Sequence, residues 1–252
     1  MQGRRVRGTL EHQDPGAGEA LTAAATILLH GALGDARQLA PLAERLTQLG
    51  VARPTVIELP GHGATPLGDR GFHIEAFAEA VLAELDARGI SQAHFFGYSM
   101  GGYVALHLAA TAPAHVRRVA TLATKLAWTP AVAARESAML DAATIRAKVP
   151  KFAAALEQRH TAIGWEALLA HTATLLRDLG ERPRLTPAVY AGIAQPARIA
   201  VGDRDTTVSI DECVEAVRVL PRGEMEVHPG TAHPLEKAPL ERIARSLAEF
   251  VA

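Results

Sequence analysis

The feature that most constrains the fold is a repeated alternation along the chain between short apolar runs and longer amphipathic runs. The short runs have the length and composition of buried strands, and the longer ones place apolar residues three to four positions apart, as helices do. This alternation predicts an α/β fold in which helices cover both faces of a mostly parallel sheet. The predicted strands are 26–30, 54–59, 93–98, 116–123, 197–201 and 224–228, and the predicted helices are 36–49, 74–88, 100–110, 210–220 and 238–251.

One interval, 128–195, breaks the alternation because it contains helix-like segments and no convincing strand. A proline disfavours helical conformation in the residue before it, so the interval should form several short helices. We therefore expect a helical insert at 128–195 within a core domain built from 1–127 and 196–252. A hairpin turning at Asp14-Pro15-Gly16 is expected before the first predicted strand of the alternation. The prolines of the insert region are Pro130, Pro150, Pro183, Pro187 and Pro196.

The charge and cysteine content of the chain indicate which partners and which cellular compartment to expect. Lysine and arginine total 26 against 27 for aspartate and glutamate, so no bulk positive field attracts nucleic acid or anionic lipid. The single cysteine, Cys213, cannot form an internal disulfide, which fits the cytoplasm. The N-terminus lacks the apolar stretch of a signal peptide, and runs such as 23–29 are far shorter than the roughly 20 residues that span a bilayer. We expect a soluble, cytoplasmic protein that acts on a small molecule.

Residues capable of nucleophilic chemistry follow the predicted strands directly. The segment Gly97-Tyr98-Ser99-Met100-Gly101 is a G-x-S-x-G pattern between a predicted strand and a predicted helix, which is the context that this motif requires. Three further loops follow other strands: 30–34, 202–205 and 230–234. The carboxyl ends of parallel strands share one edge of the sheet, so Ser99, His233 and one of two aspartates, Asp203 or Asp205, should meet there.

These motifs together resemble those of the α/β-hydrolase family. The resemblance rests on the G-x-S-x-G pattern, His30-Gly31-Ala32-Leu33-Gly34, Leu59-Pro60-Gly61-His62-Gly63, Gly202-Asp203-Arg204-Asp205 and Gly230-Thr231-Ala232-His233-Pro234, and on the chain order serine, aspartate, histidine. It implies that Ser99 is the nucleophile and His233 the base. The family pattern G-x-x-D selects Asp205 as the acid. It also implies backbone N–H donors for an oxyanion at Ala32 and Met100 and a cap formed by the insert. We expect no cofactor, and no metal because the histidines show no paired spacing with acidic residues that would suggest a metal site.

Lys125 follows a predicted strand and so lies at the same edge of the sheet, just before the insert. It is a candidate to bind a substrate carboxylate. The alternative is structural, with the lysine reaching solvent or pairing a carboxylate at the start of the insert.

The expected function is hydrolysis of a small carboxylic ester or thioester through an acyl-serine intermediate. Relatives in the family use similar residues for elimination or for hydrolysis of carbon–carbon bonds, so a lyase or a carbon–carbon bond hydrolase is the second hypothesis. A ligand-binding protein without activity is the third, and it is disfavoured because serine, acid and histidine all have candidates in the expected order.

Overall fold

The computed structural model describes residues 24–52 and 54–252, and the hairpin expected at 14–16 lies outside them. Within these residues the central element is a six-stranded sheet with the strand order β2-β1-β3-β4-β5-β6, in which every neighbouring pair is parallel. The predicted fold class is therefore confirmed. The strands are β1 Ala25–Leu29, β2 Pro54–Ile57, β3 Ala93–Tyr98, β4 Val116–Leu122, β5 Ala197–Gly202 and β6 Gly223–His228.

Two layers of helices cover the sheet. Successive side chains of each strand point to opposite faces, and both faces are apolar. Ile27 and Phe95 point into one apolar layer, and their neighbours Leu28 and Phe96 point into the other. One face packs against α1 Ala36–Gln48 and α10 Leu240–Val251, and the other against α2 Ile74–Ala87, α3 Met100–Thr111 and α9 Ile210–Val219. Burial on both faces explains why the strands are continuous apolar runs in the sequence.

The interval between β4 and β5 is helical, as expected for the insert. Pro130, Pro150 and Pro187 each occupy the first position of a helix, where their missing N–H has no helical partner to lose. Part of the insert has a small apolar cluster of its own, which includes Ile145 and Trp165. The helices are α4 Pro130–Ala138, α5 Ala142–Lys148, α6 Pro150–Arg159, α7 Trp165–Glu181 and α8 Pro187–Ala191.

Several predicted boundaries differ from the observed ones for local reasons. The strand predicted to reach residue 123 ends at Leu122, because Ala123 has a φ of 54° and turns the chain out of the sheet. The last helix begins at Leu240 rather than at residue 238, because a 3₁₀ turn, Leu235–Lys237, and Pro239 precede it. No helix in the described ranges is long and apolar enough to cross a membrane.

Candidate active site

Ser99 lies on the sharp turn between β3 and α3, in a backbone conformation that residues other than glycine rarely adopt. Its φ is 51° and its ψ is −118°. Such a conformation costs on the order of 1–3 kcal/mol and persists only where the surroundings impose it. Here the Ser99 N–H donates to the carbonyl of Leu122 at 2.8 Å, and the Thr124 hydroxyl donates to the Ser99 carbonyl at 3.0 Å. The neighbouring strand β4 and the loop after it therefore hold the serine in place.

The glycines around Ser99 are required by close backbone approach. A Cβ at Gly101 would overlap the carbonyls of Leu29 and His30, and one at Gly97 would overlap the backbone at Gly101. Backbone atoms cannot move aside as a flexible side chain can, so no larger residue fits. These contacts draw the start of α3 against the end of β1, which carries the next loop of the site.

His233 joins Ser99 to a buried carboxylate. The Ser99 Oγ lies 3.4 Å from the Nε2 of His233, and the Nδ1 of His233 lies 2.8 Å from the Oδ2 of Asp205. The Asp205 side chain is 0% exposed and the His233 side chain is 23% exposed. The Tyr98 hydroxyl donates to the His233 carbonyl at 2.9 Å, which fixes the backbone of the histidine loop. Burial raises the pKa of the Tyr98 phenol, so it remains a donor.

Asp205 is held as a charged acceptor by its loop. Its burial by itself would raise the pKa, but hydrogen bonds from His233 and from the backbone hold the pKa of this carboxyl below its usual value. The backbone donors are the N–H groups of Thr207 at 2.8 Å and Val208 at 2.9 Å, both to Oδ1. Asp203, the other candidate, is partly exposed and accepts instead from the N–H of Thr231 at 3.2 Å. The structure thus brings Asp205, and not Asp203, to His233.

The two backbone groups expected to bind an oxyanion lie beside Ser99. Ala32 and Met100 both line the same cavity as Ser99 and His233. Within the described residues, the N–H of neither Ala32 nor Met100 forms a hydrogen bond. The loop carrying Ala32 passes close to the serine, since a Cβ at Gly31 would lie 3.1 Å from that of Ser99. Both donors are thus available to a ligand oxygen.

A cavity of about 280 Å³ lies between the sheet edge and the insert. Ligand sites commonly measure about 300–1,000 Å³, so this cavity suits a small molecule. One of its charged lining groups, Glu136, is paired within the protein and accepts from Arg135 at 2.7 Å. Its apolar lining from the core and the insert includes Ile74, Trp128, Met139, Leu140, Leu175, Leu176 and Leu179.

Lys125 lines this cavity, but its ammonium group is bonded to the protein. Its Nζ lies 2.7 Å from the Oε2 of Glu212 and donates to the carbonyl of Thr207 at 3.0 Å. The other oxygen of Glu212 accepts from the N–H of Leu126 at 2.9 Å. This geometry favours the structural alternative, a lysine paired with a carboxylate at the start of the insert, over a contact with a substrate carboxylate.

The large aromatic and methionine side chains of the insert have different environments. Trp128 and Met139 line the cavity. Trp165 is buried in the apolar cluster of the insert, and Tyr190 packs into the main core. Phe152 is exposed. Sequence spacing could not separate these environments, because it does not show which side of each short helix faces the core.

Leu33 lies at the site and His160 contacts it, although no sequence pattern assigned a role to either residue. Leu33 lines the cavity and has a φ of 59°, and its carbonyl is 3.0 Å from the Nε2 of His160. A leucine in this conformation cannot be recognised from residue type, and His160 is 127 positions away in the chain. Cys213, by contrast, is a free and buried thiol, and burial raises its pKa to about 12.

A family model described as the alpha/beta hydrolase fold matches residues 26–192, which is more than half of the chain. The chain therefore belongs to the α/β-hydrolase fold family, as its motifs suggested.

Individual relatives match shorter segments. The chain is 46% identical over 63 residues to a pimeloyl-(acyl-carrier protein) methyl ester esterase of Neisseria meningitidis, a match covering 25% of this chain and 23% of that protein. It is 34% identical over 97 residues to a dihydrolipoyllysine-residue acetyltransferase component of an acetoin cleaving system of Pseudomonas putida, covering 38% of this chain and 26% of that protein. The matches thus span about a quarter of the length of these curated relatives.

A solved structure is similar over nearly the whole chain. The 2-hydroxy-6-oxo-6-phenylhexa-2,4-dienoate hydrolase from Rhodococcus sp. strain RHA1 superposes with a TM-score of 0.73 at 20% identity, covering 91% of each chain. At this identity the likeness concerns the fold, and it extends across the helical insert.

Proposed function

We propose that the protein hydrolyses a small carboxylic ester or thioester through an acyl intermediate on Ser99. The observation that carries the proposal is the continuous path from the Ser99 Oγ to the His233 imidazole at 3.4 Å and on to the buried Asp205 carboxylate at 2.8 Å. A serine hydroxyl is a weak nucleophile unless a base accepts its proton, and a carboxylate on the far nitrogen orients that base.

In the proposed first half-reaction, the Ser99 Oγ attacks the substrate carbonyl carbon while its proton passes to the Nε2 of His233. The contact of 3.4 Å is longer than a good hydrogen bond, and such contacts tighten when substrate binds. The carbonyl oxygen becomes an oxyanion that accepts from the N–H groups of Ala32 and Met100. The imidazolium then gives its proton to the departing alcohol or thiol, which leaves the acyl group on Ser99.

In the second half-reaction, water takes the place of the departed group. His233 removes a proton from the water, and the resulting oxygen nucleophile attacks the acyl carbon. The tetrahedral intermediate collapses, Ser99 recovers its proton from His233, and the carboxylic acid leaves. No cofactor is required by this sequence of steps, because the protein supplies the nucleophile, the base and the oxyanion donors.

The insert, residues 128–195, serves in this proposal as a cap that forms one wall of the cavity. Its side chains at the cavity are largely apolar, and the charges of Lys125 and Glu136 are paired within the protein. An uncharged, apolar acyl group of modest size therefore fits better than a highly charged one. The ester chemistry named for the Neisseria relative is consistent with this assignment.

The test measures hydrolysis of nitrophenyl esters of increasing acyl length by the unaltered protein and by the Ser99→Ala variant. Intact mass spectrometry detects an acyl adduct. Loss of the nucleophile in an enzyme of this kind lowers kcat by about 10⁴-fold or more. Ser137→Ala, at a half-buried position on α4 where the hydroxyl donates to the Ala134 carbonyl, is the matched control and should keep full activity. Turnover that survives in Ser99→Ala would rule out the proposed mechanism.

A further inference from the structure

The loop that carries Ala32 contains a strained turn. The Gly34 N–H donates to the Gly31 carbonyl at 3.1 Å, and this bond closes a turn with Ala32 and Leu33 at its centre. Leu33 occupies the left-handed region, with a φ of 59°. Glycine or asparagine usually fills such a position, because a larger side chain crowds the backbone there. The turn therefore needs support from outside its own four residues.

That support comes from the insert, through the backbone and the side chain of Leu33. The Leu33 carbonyl accepts from the Nη1 of Arg159 at 2.9 Å and faces the Nε2 of His160 at 3.0 Å. The Leu33 side chain packs against the apolar cluster of the insert. One residue next to Ala32 is thus held to the end of α6 by two polar contacts and by apolar packing.

His160 also contacts the loop after β2, and this second contact fixes its tautomer. The Nδ1 of His160 accepts from the N–H of Gly63 at 3.0 Å, so the proton of the neutral ring is on Nε2 and is donated to the Leu33 carbonyl. The carbonyl of Gly63 in turn accepts from the N–H of Thr161 at 2.9 Å. The His160 ring, 1% exposed, therefore bridges two loops of the core from the insert.

We infer that His160 is a positioning residue that couples the docked insert to the oxyanion-binding N–H of Ala32, by holding the Leu33 carbonyl in the strained turn. The inference rests on the proposed function, since it assigns a purpose to the Ala32 N–H that only an oxyanion-forming reaction uses. His160 is not in contact with the reacting atoms. Its effect on the reaction passes through Leu33 to Ala32.

The surroundings of His160 favour the neutral ring that this bridge requires. Burial lowers the pKa of His160, and the charge of Arg159 acts in the same direction. The hydrogen bond to the Leu33 carbonyl acts in the opposite direction, as do the charges of Asp35 and Glu58, but the pKa remains lowered. His62 packs edge-on against the ring at 6.1 Å between centroids. A protonated ring would place a second N–H against that of Gly63 and break the bridge.

The test is His160→Ala, with His94→Ala as the matched control. His94 is also a buried histidine, but it lies on β3 near the amino end of the sheet and its Nδ1 has no partner among the described residues. For His160→Ala we expect kcat/KM on a nitrophenyl ester to fall about 10- to 100-fold, less than the loss of an oxyanion donor itself. The inhibition constant of a trifluoromethyl ketone, which forms an oxyanion on Ser99, should rise by the same factor, and that of the matching secondary alcohol should not change.

Conservative replacement separates positioning from simple destabilisation. His160→Gln keeps an N–H donor for the Leu33 carbonyl and should recover part of the lost activity, while His94→Ala should lose stability without losing kcat. Full activity and unchanged ketone inhibition in folded His160→Ala would overturn the inference even if Ser99 is the nucleophile.

A second readout does not depend on activity. Hydrogen–deuterium exchange in a peptide covering residues 31–34 should be at least several-fold faster in His160→Ala than in the unaltered protein, and unchanged in His94→Ala. If the protein shows no turnover dependent on Ser99, the proposed function fails, and the purpose assigned to the bridge fails with it. If turnover depends on Ser99 but exchange in the loop is unchanged, the positioning role alone is wrong.

Discussion

Two aspartates on one loop, separated by a single residue, have different environments in the structure. Asp205 is buried, accepts two backbone N–H groups and contacts His233, whereas Asp203 is partly exposed. We expect Asp205→Asn to lower kcat by about 10³- to 10⁴-fold, because an amide holds the imidazole in the wrong tautomer. Asp203→Asn should change kcat less than tenfold. Steady-state kinetics on a nitrophenyl ester measures kcat of both variants, and thermal unfolding checks that both are folded. A larger loss of kcat in Asp203→Asn than in Asp205→Asn would contradict the assignment.

The site residues that could be predicted from the sequence are those whose residue type is required by the chemistry or by the close approach of two backbone segments. The serine, its flanking glycines and the histidine follow strands, and the parallel topology brings strand ends together whatever their separation in the chain. Leu33 and His160 were not predictable for the opposite reason. Leucine has no preference for the conformation it adopts, and a histidine that bridges two loops has the same local sequence as any buried histidine.

At the scale of elements, the connection between β4 and the insert depends on a buried ion pair. The side chains of Lys125 and Glu212 are only 13% and 6% exposed, and Glu212 also accepts from the N–H of Leu126 and completes the N-terminal cap of α9. The pair therefore ties the exit from the sheet to the helix that follows Asp205. Its role is to hold these elements together at the edge of the cavity.

Removing the lysine alone should leave the Glu212 carboxylate buried without its counter-charge, although its backbone hydrogen bonds remain. We expect Lys125→Met to reduce the free energy of unfolding by about 3–5 kcal/mol, the range found when one partner of a buried pair is removed. Adding Glu212→Gln, which keeps an acceptor for Leu126 but removes the charge, should restore part of that loss. Urea unfolding of both variants measures the effect.

The same variant tests the alternative role of Lys125. Rates on an acidic and a neutral nitrophenyl ester should change by the same factor in Lys125→Met. A selective loss on the acidic ester, with little change in stability, would show that the lysine binds a substrate carboxylate instead.

Elements were predicted best where the sheet imposes a pattern. The strands are continuous apolar runs, and their ends were predicted to within two residues. In the insert, the prolines showed that there would be several helices, but the sequence did not predict which face of each helix packs against the core. That choice depends on contacts such as Leu33 with the insert cluster, which join residues distant in the chain.

At the scale of the whole molecule, the architecture assembles the site from loops that begin at β1, β2, β3, β5 and β6 and covers it with a helical segment inserted after β4. Packing these loops together buries polar side chains as well as apolar ones. Histidines buried in these loops, in the insert, in the sheet and in α3 have a lowered pKa, with burial as the largest cause: His30, His62, His94, His107, His160 and His228.

This burial predicts that acidification destabilises the fold. The pKa of His30 is lowered from 6.5 to about 4, as is that of His94, so between these pH values the unfolded chain binds protons that the folded chain does not. Stability is therefore fully present above pH ~6.5 and is lost as pH falls toward ~4, by about 1.4 kcal/mol per pH unit for each such histidine. Urea unfolding between pH 7 and pH 5 should show uptake of at least two protons on unfolding near pH 5.3, and His94→Gln should reduce that uptake by about one. Equal stability at pH 7 and pH 5 would contradict the lowered pKa of these histidines.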